Sequence, residues 1–355
     1  MAGVYVHIPF CKKRCKYCDF YSTTDLGRRV AYVDALLREI EDRRSEISQE
    51  SVRTIYFGGG TPSQLAAEDI ARLIEAIGAE QAQEITVEVN PGDTTLSYLK
   101  ALRETGVNRL SIGIQSLHDE RLRIIGRRHT AEEARSAVEM ARRAGFENIS
   151  VDLMYGLPGQ TMDEWEEDME GVIRMNPEHI SAYCLQWEEG TPLMEQYKRG
   201  EVRMTDEDVE MQMFDRLMER LEEAGYAHYE VSNFSRPGYQ SQHNSGYWNG
   251  TPYVGIGAAA HSYDGMIRSS NPSDLERYIR GAEREEEHLS EQDKYNERVM
   301  LSLRTARGID RSELANQKAV DDFIRRGLLR ENGDMVVATK QGLHILNSII
   351  ETLMI

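Results

Sequence analysis

Six short β-branched or apolar runs alternate with longer amphipathic stretches through the first half of this chain, and that alternation restricts the fold more than any other feature. The runs are VYVHI at 4–8, TIYFGG at 54–59, EITVEV at 84–89, RLSIGI at 109–114, ISVDLMY at 149–155 and ISAYCL at 180–185. Their length and composition predict parallel strands. Between the first two, Val30, Val33, Leu37 and Ile40 follow helical spacing, as do Ile70, Leu73 and Ile77, then Leu99 and Leu102, then Trp165, Met169 and Val172. Thr161 and Glu164 have the spacing of a capping box ahead of that last stretch. Strand–helix repeats connect by right-handed crossovers. Six of them curl toward a full or partial barrel whose loops at the strand C-terminal ends carry the chemistry. The expected class is therefore α/β, a partial (β/α)6 barrel of the TIM type.

The 355 residues leave room for a small module beside such a barrel, which fills roughly 250 residues when complete. After Phe234 the pattern turns irregular and rich in Gly, Tyr and Asn, and the acidic run EREEEH at 283–288 precedes a fresh helical stretch. Three units are expected: a barrel over 1–234, a connecting segment over 235–286 and a C-terminal domain over 287–355. The tail has helices near 291–304 and 312–326, a hairpin through Asn332-Gly333 and a last helix from about 340, the order of a winged-helix unit. Ten basic and ten acidic residues balance from Leu289 to Ile355, which gives no support to a DNA-binding reading.

Over the whole chain 60 acidic residues oppose 42 basic ones, a formal charge of -18 that repels phosphate backbones and anionic lipid. Nucleic acid is not an expected partner. Peripheral membrane contact through a local patch stays open, because the field that matters there is local. The segment MAGVYVHIPF is too short and too poor in leading basic residues for a secretory signal, and no apolar run approaches the roughly 20 residues of a membrane span. The expectation is a soluble cytoplasmic protein, monomer or dimer.

Three of the four cysteines, Cys11, Cys15 and Cys18, fall within eight residues directly after the first strand. Such crowding suits metal or cluster ligation in a reducing compartment better than a disulfide framework, and Cys184 is left as a core thiol. The spacing C-x3-C-x2-C supplies three thiolates to a centre that wants four, so a 4Fe-4S cluster held this way keeps one iron open. Spacing alone leaves zinc as a second reading, with His7 as fourth ligand. GGGTP at 58–62 favours the cluster. It ends the second strand just ahead of a helix, where consecutive glycines let a small ligand approach the backbone and the helix N-terminus favours a carboxylate.

Taken together, YVHIPFCKKRCKYCDF, GGGTPS, VEVNPG, SIGIQS, IGRRH, DLMYGLPGQT and the tail resemble radical S-adenosylmethionine (SAM) enzymes, and among them the oxygen-independent coproporphyrinogen III oxidase-like group. The likeness spans nearly the whole chain. It implies a radical SAM partial barrel, with Cys11, Cys15 and Cys18 as ligands to three irons and SAM chelated by the fourth. Gly59, Gly60 and Thr61 would line the methionine moiety, Tyr5 and Tyr17 would sit beside the cluster, and Glu88, Gln115, Arg127 and Asp152 would contact one or two SAM molecules. A carboxylate such as Glu88 can accept from ribose hydroxyls or the ammonium group, and Arg127 can pair with a carboxylate. An internal salt-bridge ring of Glu88, Arg127 and Asp152 is the plainer alternative. The implied chemistry is one-electron reduction of the cluster and cleavage of the sulfonium to a 5'-deoxyadenosyl radical, with the protein supplying position and dryness.

Two departures set the chain apart from the oxidase. Phe20 stands where the oxidase motif carries a further cysteine, and only four residues precede Tyr5, so the segment that helps the oxidase hold its porphyrinogen has no counterpart. HNSGYW at 243–248 instead fits the H-N-x-x-Y-W signature of the haem-chaperone branch. That match implies His243 as a ligand to haem iron, with Tyr247 and Trp248 packed on the porphyrin; without it, a histidine in an aromatic loop is an ordinary packed or hydrogen-bonded residue. The neighbouring YVGIGAAAHSY, with His261, reads as core or pocket lining. The leading expectation is a haem chaperone that binds haem, a 4Fe-4S cluster and SAM and delivers haem to respiratory haemoproteins at the membrane surface. Its architecture is able to cleave SAM, and coproporphyrinogen oxidase activity is not expected. The alternatives are an oxygen-independent coproporphyrinogen III dehydrogenase and a radical SAM methyltransferase.

Overall fold

The computed structural model describes residues 2–48, 52–78 and 81–355. All six expected strands form, as β1 (Ala2–Ile8), β2 (Val52–Gly59), β3 (Glu84–Val89), β4 (Arg109–Gln115), β5 (Asn148–Tyr155) and β6 (His179–Cys184), and each pairs parallel with the next. Side chains on a strand alternate between faces, and here the two faces differ in chemistry. Val4, Val6 and Ile8, Ile55 and Phe57, Val87 and Val89, Leu110 and Ile112, Val151 and Leu153 all enter one apolar core with the surrounding helices. The intervening positions are Tyr5 and His7, Thr54 and Tyr56, Thr86 and Glu88, Arg109 and Ser111, Ser150 and Asp152, His179 and Ser181. They give the inner face of the curved sheet a polar lining.

The helices follow from amphipathic spacing and caps. Thr161 and Glu164 form the expected reciprocal capping box of the helix Met162–Met175, and Thr130 with Glu133 forms another for Ala131–Arg143. In the helix Arg29–Asp42 the buried stripe runs through Tyr32, Val33, Leu36 and Ile40, while Val30 is 74% exposed. Val30 follows helical spacing but lies in the first turn, away from the sheet. Tyr32 takes the core position because its hydroxyl donates to the His7 carbonyl at 2.8 Å, which satisfies its polar end.

Beyond β6 the sheet continues. β7 (Ala227–Glu230) and β8 (Asn233–Ser235) form an antiparallel pair beside β6, and at the other end β9 (Tyr253–Ile256) pairs parallel with β1, followed by β10 (His261–Tyr263), β11 (Ile267–Ser270) and β12 (Glu285–His288). The twelve strands run β12-β11-β10-β9-β1-β2-β3-β4-β5-β6-β8-β7 and do not close. The irregular stretch after Phe234 is thus woven into the sheet next to β1. The acidic run is its exposed edge strand β12, where like charges discourage pairing with another chain.

The tail forms a unit with its own core of Val299, Leu303, Ile309, Val320, Val336 and Ile349. The helices Glu291–Ser302 and Gln317–Arg325, the strands β13 (Ile309–Asp310), β14 (Leu329–Asn332) and β15 (Met335–Ala338), and the helix Leu346–Leu353 follow the expected order, with Gly333 at φ 62° turning the hairpin. Arg311–Glu313 is a short 3-10 turn, so the second helix starts later than its apolar spacing implied. Among the described residues no helix is long and apolar enough to cross a membrane.

The apolar outer face carries the stability of the barrel. Ile112→Ala should therefore cost about 2–5 kcal/mol, read as a lowered urea midpoint at unchanged slope.

Candidate functional site

The cysteines lie on a loop that leaves β1 and is tied down at both ends. At its base the Cys11 amide donates to the Thr23 carbonyl at 2.8 Å and the Thr23 amide to Pro9 at 2.7 Å; at its tip the Lys16 amide donates to Ile125 and the Leu193 amide to Lys16, both at 2.9 Å. Gly126, at φ 79°, permits that approach, because a Cβ there would come within 2.9 Å of Lys16 Cγ. Cys11 is buried, with Sγ 3.5 Å from Thr61 Oγ1, and Cys15 and Cys18 are half-buried. Arg127 Nη1 donates to Cys15 Sγ at 3.6 Å, and Tyr17 packs beside it against Ile125 and Leu193. Cys184 is half-buried at the end of β6, apart from these three.

The glycine run lies against the start of this loop. A Cβ on Gly60 would come within 2.7 Å of the Pro9 backbone, and one on Gly59, at φ 111°, within 2.5 Å of the His7 ring. Gly58 is enclosed by Tyr56, Tyr5 and Glu88. Side chains larger than hydrogen would fill the space between β2 and the cysteine loop.

Inside the barrel mouth Glu88 accepts from Tyr56 Oη at 2.9 Å and from the Gly59 amide at 3.2 Å. Burial raises its pKa to about 7, and neighbouring Asp152 pushes the same way. Asp152 accepts from Ser111 Oγ at 3.1 and 3.2 Å, and burial holds its carboxyl above the usual carboxylate range. Gln115 ends β4 in a left-handed conformation, φ 70°, which a non-glycine residue adopts only under local constraint. Arg127 donates to the Gly113 carbonyl, and its buried Nε has no partner among the described residues. Glu88, Gln115, Arg127 and Asp152 thus converge on one mouth, and no ion pair joins them among the described residues, so the salt-bridge ring is not formed. Arg109, missed by the sequence reading, lies fully buried with Nε and Nη1 unpartnered among the described residues. Its signal was the polar member of the alternation in R-L-S-I-G-I.

His243 sits elsewhere. The helix Gln242–Trp248 places its ring against the beginning of β1 and β2. There Nδ1 bonds Thr54 Oγ1 at 2.9 Å, Nε2 bonds Tyr247 Oη at 2.8 Å, and the ring stacks on Tyr56. It is buried, and burial lowers its pKa to about 3, with Arg109 acting in the same direction. Both ring nitrogens are therefore engaged, and His243 borders a separate cavity of about 310 Å³ together with Thr54, Tyr247 and Tyr253. Tyr247 packs edge-on to Tyr253, and Trp248 is half-buried at the helix end.

A cavity of about 680 Å³ lies between the cysteine loop and β9–β10; Tyr5, Phe20, Tyr21, Tyr247, Tyr253 and His261 line it. Another, of about 520 Å³ between β7 and the C-terminal hairpin, contains none of the motif residues.

The residues fit a cluster and SAM. The three thiols carry no disulfide, the glycines leave a cradle, and Arg127 offers an unpaired buried donor toward a carboxylate. A single zinc fits less well. His7 is held by Tyr5 Oη and by the Tyr21 carbonyl, both at 3.0 Å, and no group of three His, Cys, Asp or Glu among the described residues could share one ion. Thiolates that each bind a different iron of a cube need not stand so close.

Residues 5–172 match the radical SAM superfamily and residues 289–345 the HemN C-terminal domain. The chain is 37% identical to the heme chaperone HemW of Lactococcus lactis over 98% of its own length and 96% of that protein's, and 34% identical to that of Escherichia coli over 98% and 97%. It superposes on the coproporphyrinogen III oxidase HemN of Escherichia coli, described as a radical SAM enzyme, with a TM-score of 0.84 at 25% identity, covering 99% of this chain and 89% of that one.

Glu88 sets a pH signature. A carboxyl whose pKa is raised by folding adds stability that is present below its unfolded value and lost as pH rises through about 7. Between about pH 5 and about pH 8, Glu88→Gln should lose less stability than the parent, by on the order of 1 kcal/mol after allowing for its partial access to water. Urea midpoints at the two pH values measure it.

Proposed function

We propose a haem chaperone, because this chain belongs to the HemW family within the radical SAM superfamily. It holds a 4Fe-4S cluster on Cys11, Cys15 and Cys18, binds SAM beside it, and carries haem in the adjoining cavity for delivery to respiratory haemoproteins. The observation that carries this reading is the end-to-end likeness to proteins named heme chaperones, which covers barrel, connecting segment and tail alike.

Each residue of the mouth has a task in it. Thr61 and Arg127 donate toward thiolate sulfur, which stabilises the ionised ligands. The free Nε of Arg127 pairs with the SAM carboxylate. Gly59 and Gly60 let the methionine moiety lie on backbone, and Glu88, charged or protonated near neutral pH, accepts from ammonium or ribose hydroxyls. Gln115 and Asp152 orient the remaining polar groups of SAM, while Tyr5 and Tyr17 wall the cluster off from water. When bound, the cluster supplies an electron for reductive cleavage of SAM. The cytoplasm, with transfer at the membrane surface, is the proposed setting.

A second reading, oxidative decarboxylation of coproporphyrinogen III, has the superposition on HemN in its favour. Phe20 in place of the additional cysteine weighs against it. Anaerobically reconstituted protein should contain iron and sulfide in equal amounts, with Cys15→Ser losing both. It should bind haemin, pass it to an apo-haemoprotein, and form no protoporphyrinogen from coproporphyrinogen III. Product formation in that assay would reverse the preference.

A further inference from the structure

We propose that His261 is the axial ligand to haem iron, in the cavity between the cysteine loop and β9–β10. This rests on the haem-binding reading above and assigns its ligand.

Three histidines come near the region, and two are occupied. His7 is fixed by Tyr5 and Tyr21. His243 is fixed by Thr54 and Tyr247, and its amide donates to Glu84 at 3.0 Å. Freeing its ring would leave the hydroxyls of Thr54 and Tyr247 without this partner, which is destabilising for buried polar groups. The His261 ring has no hydrogen-bond or ionic partner among the described residues, is exposed, and lines the cavity. A neutral imidazole with a free nitrogen is what haem iron takes from a protein.

The backbone that carries that ring is held in place. A Cβ on Gly255 would overlap the His261 carbonyl, so β9 and β10 are in close contact there. The Asn271 amide donates to Ala260 at 2.9 Å, His261 pairs with Ser270 across β10 and β11, and Ala259, at φ 60°, makes the turn that aims the strand. The surroundings suit a flat amphipathic ring. About 680 Å³ falls within the range of small-molecule sites, and Phe20, Tyr21, Tyr247 and Tyr253 offer aromatic faces. Phe20 is 65% exposed, an apolar ring that a porphyrin would cover. Arg14, at the rim and without an ion pair among the described residues, can meet a propionate.

The test is a haemin titration of the reconstituted full chain, comparing the parent with His261→Ala, His243→Ala and Phe20→Ser, with circular dichroism to confirm folding. His261→Ala should weaken binding by more than about tenfold, since removing even the outer partners of a metal ligand costs about 10–100-fold. It should also shift the Soret band, and added imidazole should restore the band. Phe20→Ser should weaken binding and keep the parent spectrum. Folded His243→Ala should keep the parent Soret band. Parent-like affinity and spectrum in His261→Ala, or loss of the ligated spectrum in folded His243→Ala, would overturn the assignment and leave the chaperone reading standing. A parent chain that binds no haemin would overturn both.

Discussion

The period-two division of six strands into an apolar outer face and a polar inner face is the constraint on which the rest of the molecule depends. The outer residues, Val6, Phe57, Val87, Ile112 and Val151 among them, are buried against helices and supply the hydrophobic term. The inner face is thereby released from packing duty and can carry Glu88, Arg109, Ser111 and Asp152. A one-residue slip in any strand would exchange the two faces, so the register that stabilises the sheet also sets the site.

That inner face is costly to keep. Two raised carboxyls, an arginine with nitrogens unpaired among the described residues and a left-handed Gln115 meet within one mouth, and a buried polar group without a partner is destabilising. Such a collection persists only where the surrounding structure over-determines it. Here the helices and the doubly anchored cysteine loop do so. Because Pro9, Cys11 and Thr23 close the base of the loop while Lys16 is held at its tip, the three thiols keep their relation to Gly59, Thr61 and Arg127.

Much of this was legible in the sequence. The strand runs are β-branched and short, the helical faces mostly periodic, and the capping box at Thr161 is a local signal that needs no tertiary context. Val30 misled because spacing does not say which apolar residue of a first turn faces the sheet, and Tyr32 displaced it through a hydrogen bond that only the fold provides. The strands after Phe234 were hidden because they are only three or four residues long and separated by Gly- and Asn-containing turns, and β9 is fixed by its pairing with β1. EREEEH reads as a solvated linker because an edge strand protected by charge looks like one. His243 shows what a motif does and does not carry: its bond to Tyr247 is a local i, i+4 pair within the six letters, whereas its bond to Thr54 depends on a strand nearly two hundred residues away.

The placement of the cavity bears on how a carrier differs from an enzyme built on the same barrel. A catalyst that generates a radical needs its substrate enclosed and water excluded, whereas a carrier must give up its cargo. The mouth of this barrel is enclosed around Glu88, Asp152 and Arg127, but the space beside the cysteine loop is rimmed by exposed Phe20, Arg14 and His261. A porphyrin seated there would rest on aromatic faces on one side and keep an edge in solvent. The same loop that presents Cys11, Cys15 and Cys18 also presents Phe20 and Tyr21, and the Tyr21 carbonyl accepts from His7 Nε2 at 3.0 Å, while His7 Nδ1 bonds Tyr5 Oη. A change at the cluster that moved the loop would therefore move a wall of the cavity. On the proposed reading, occupancy of the SAM site and retention of haem are coupled through one rigid segment whose two ends are hydrogen-bonded to the barrel, and coupling of that kind needs no long pathway across the protein.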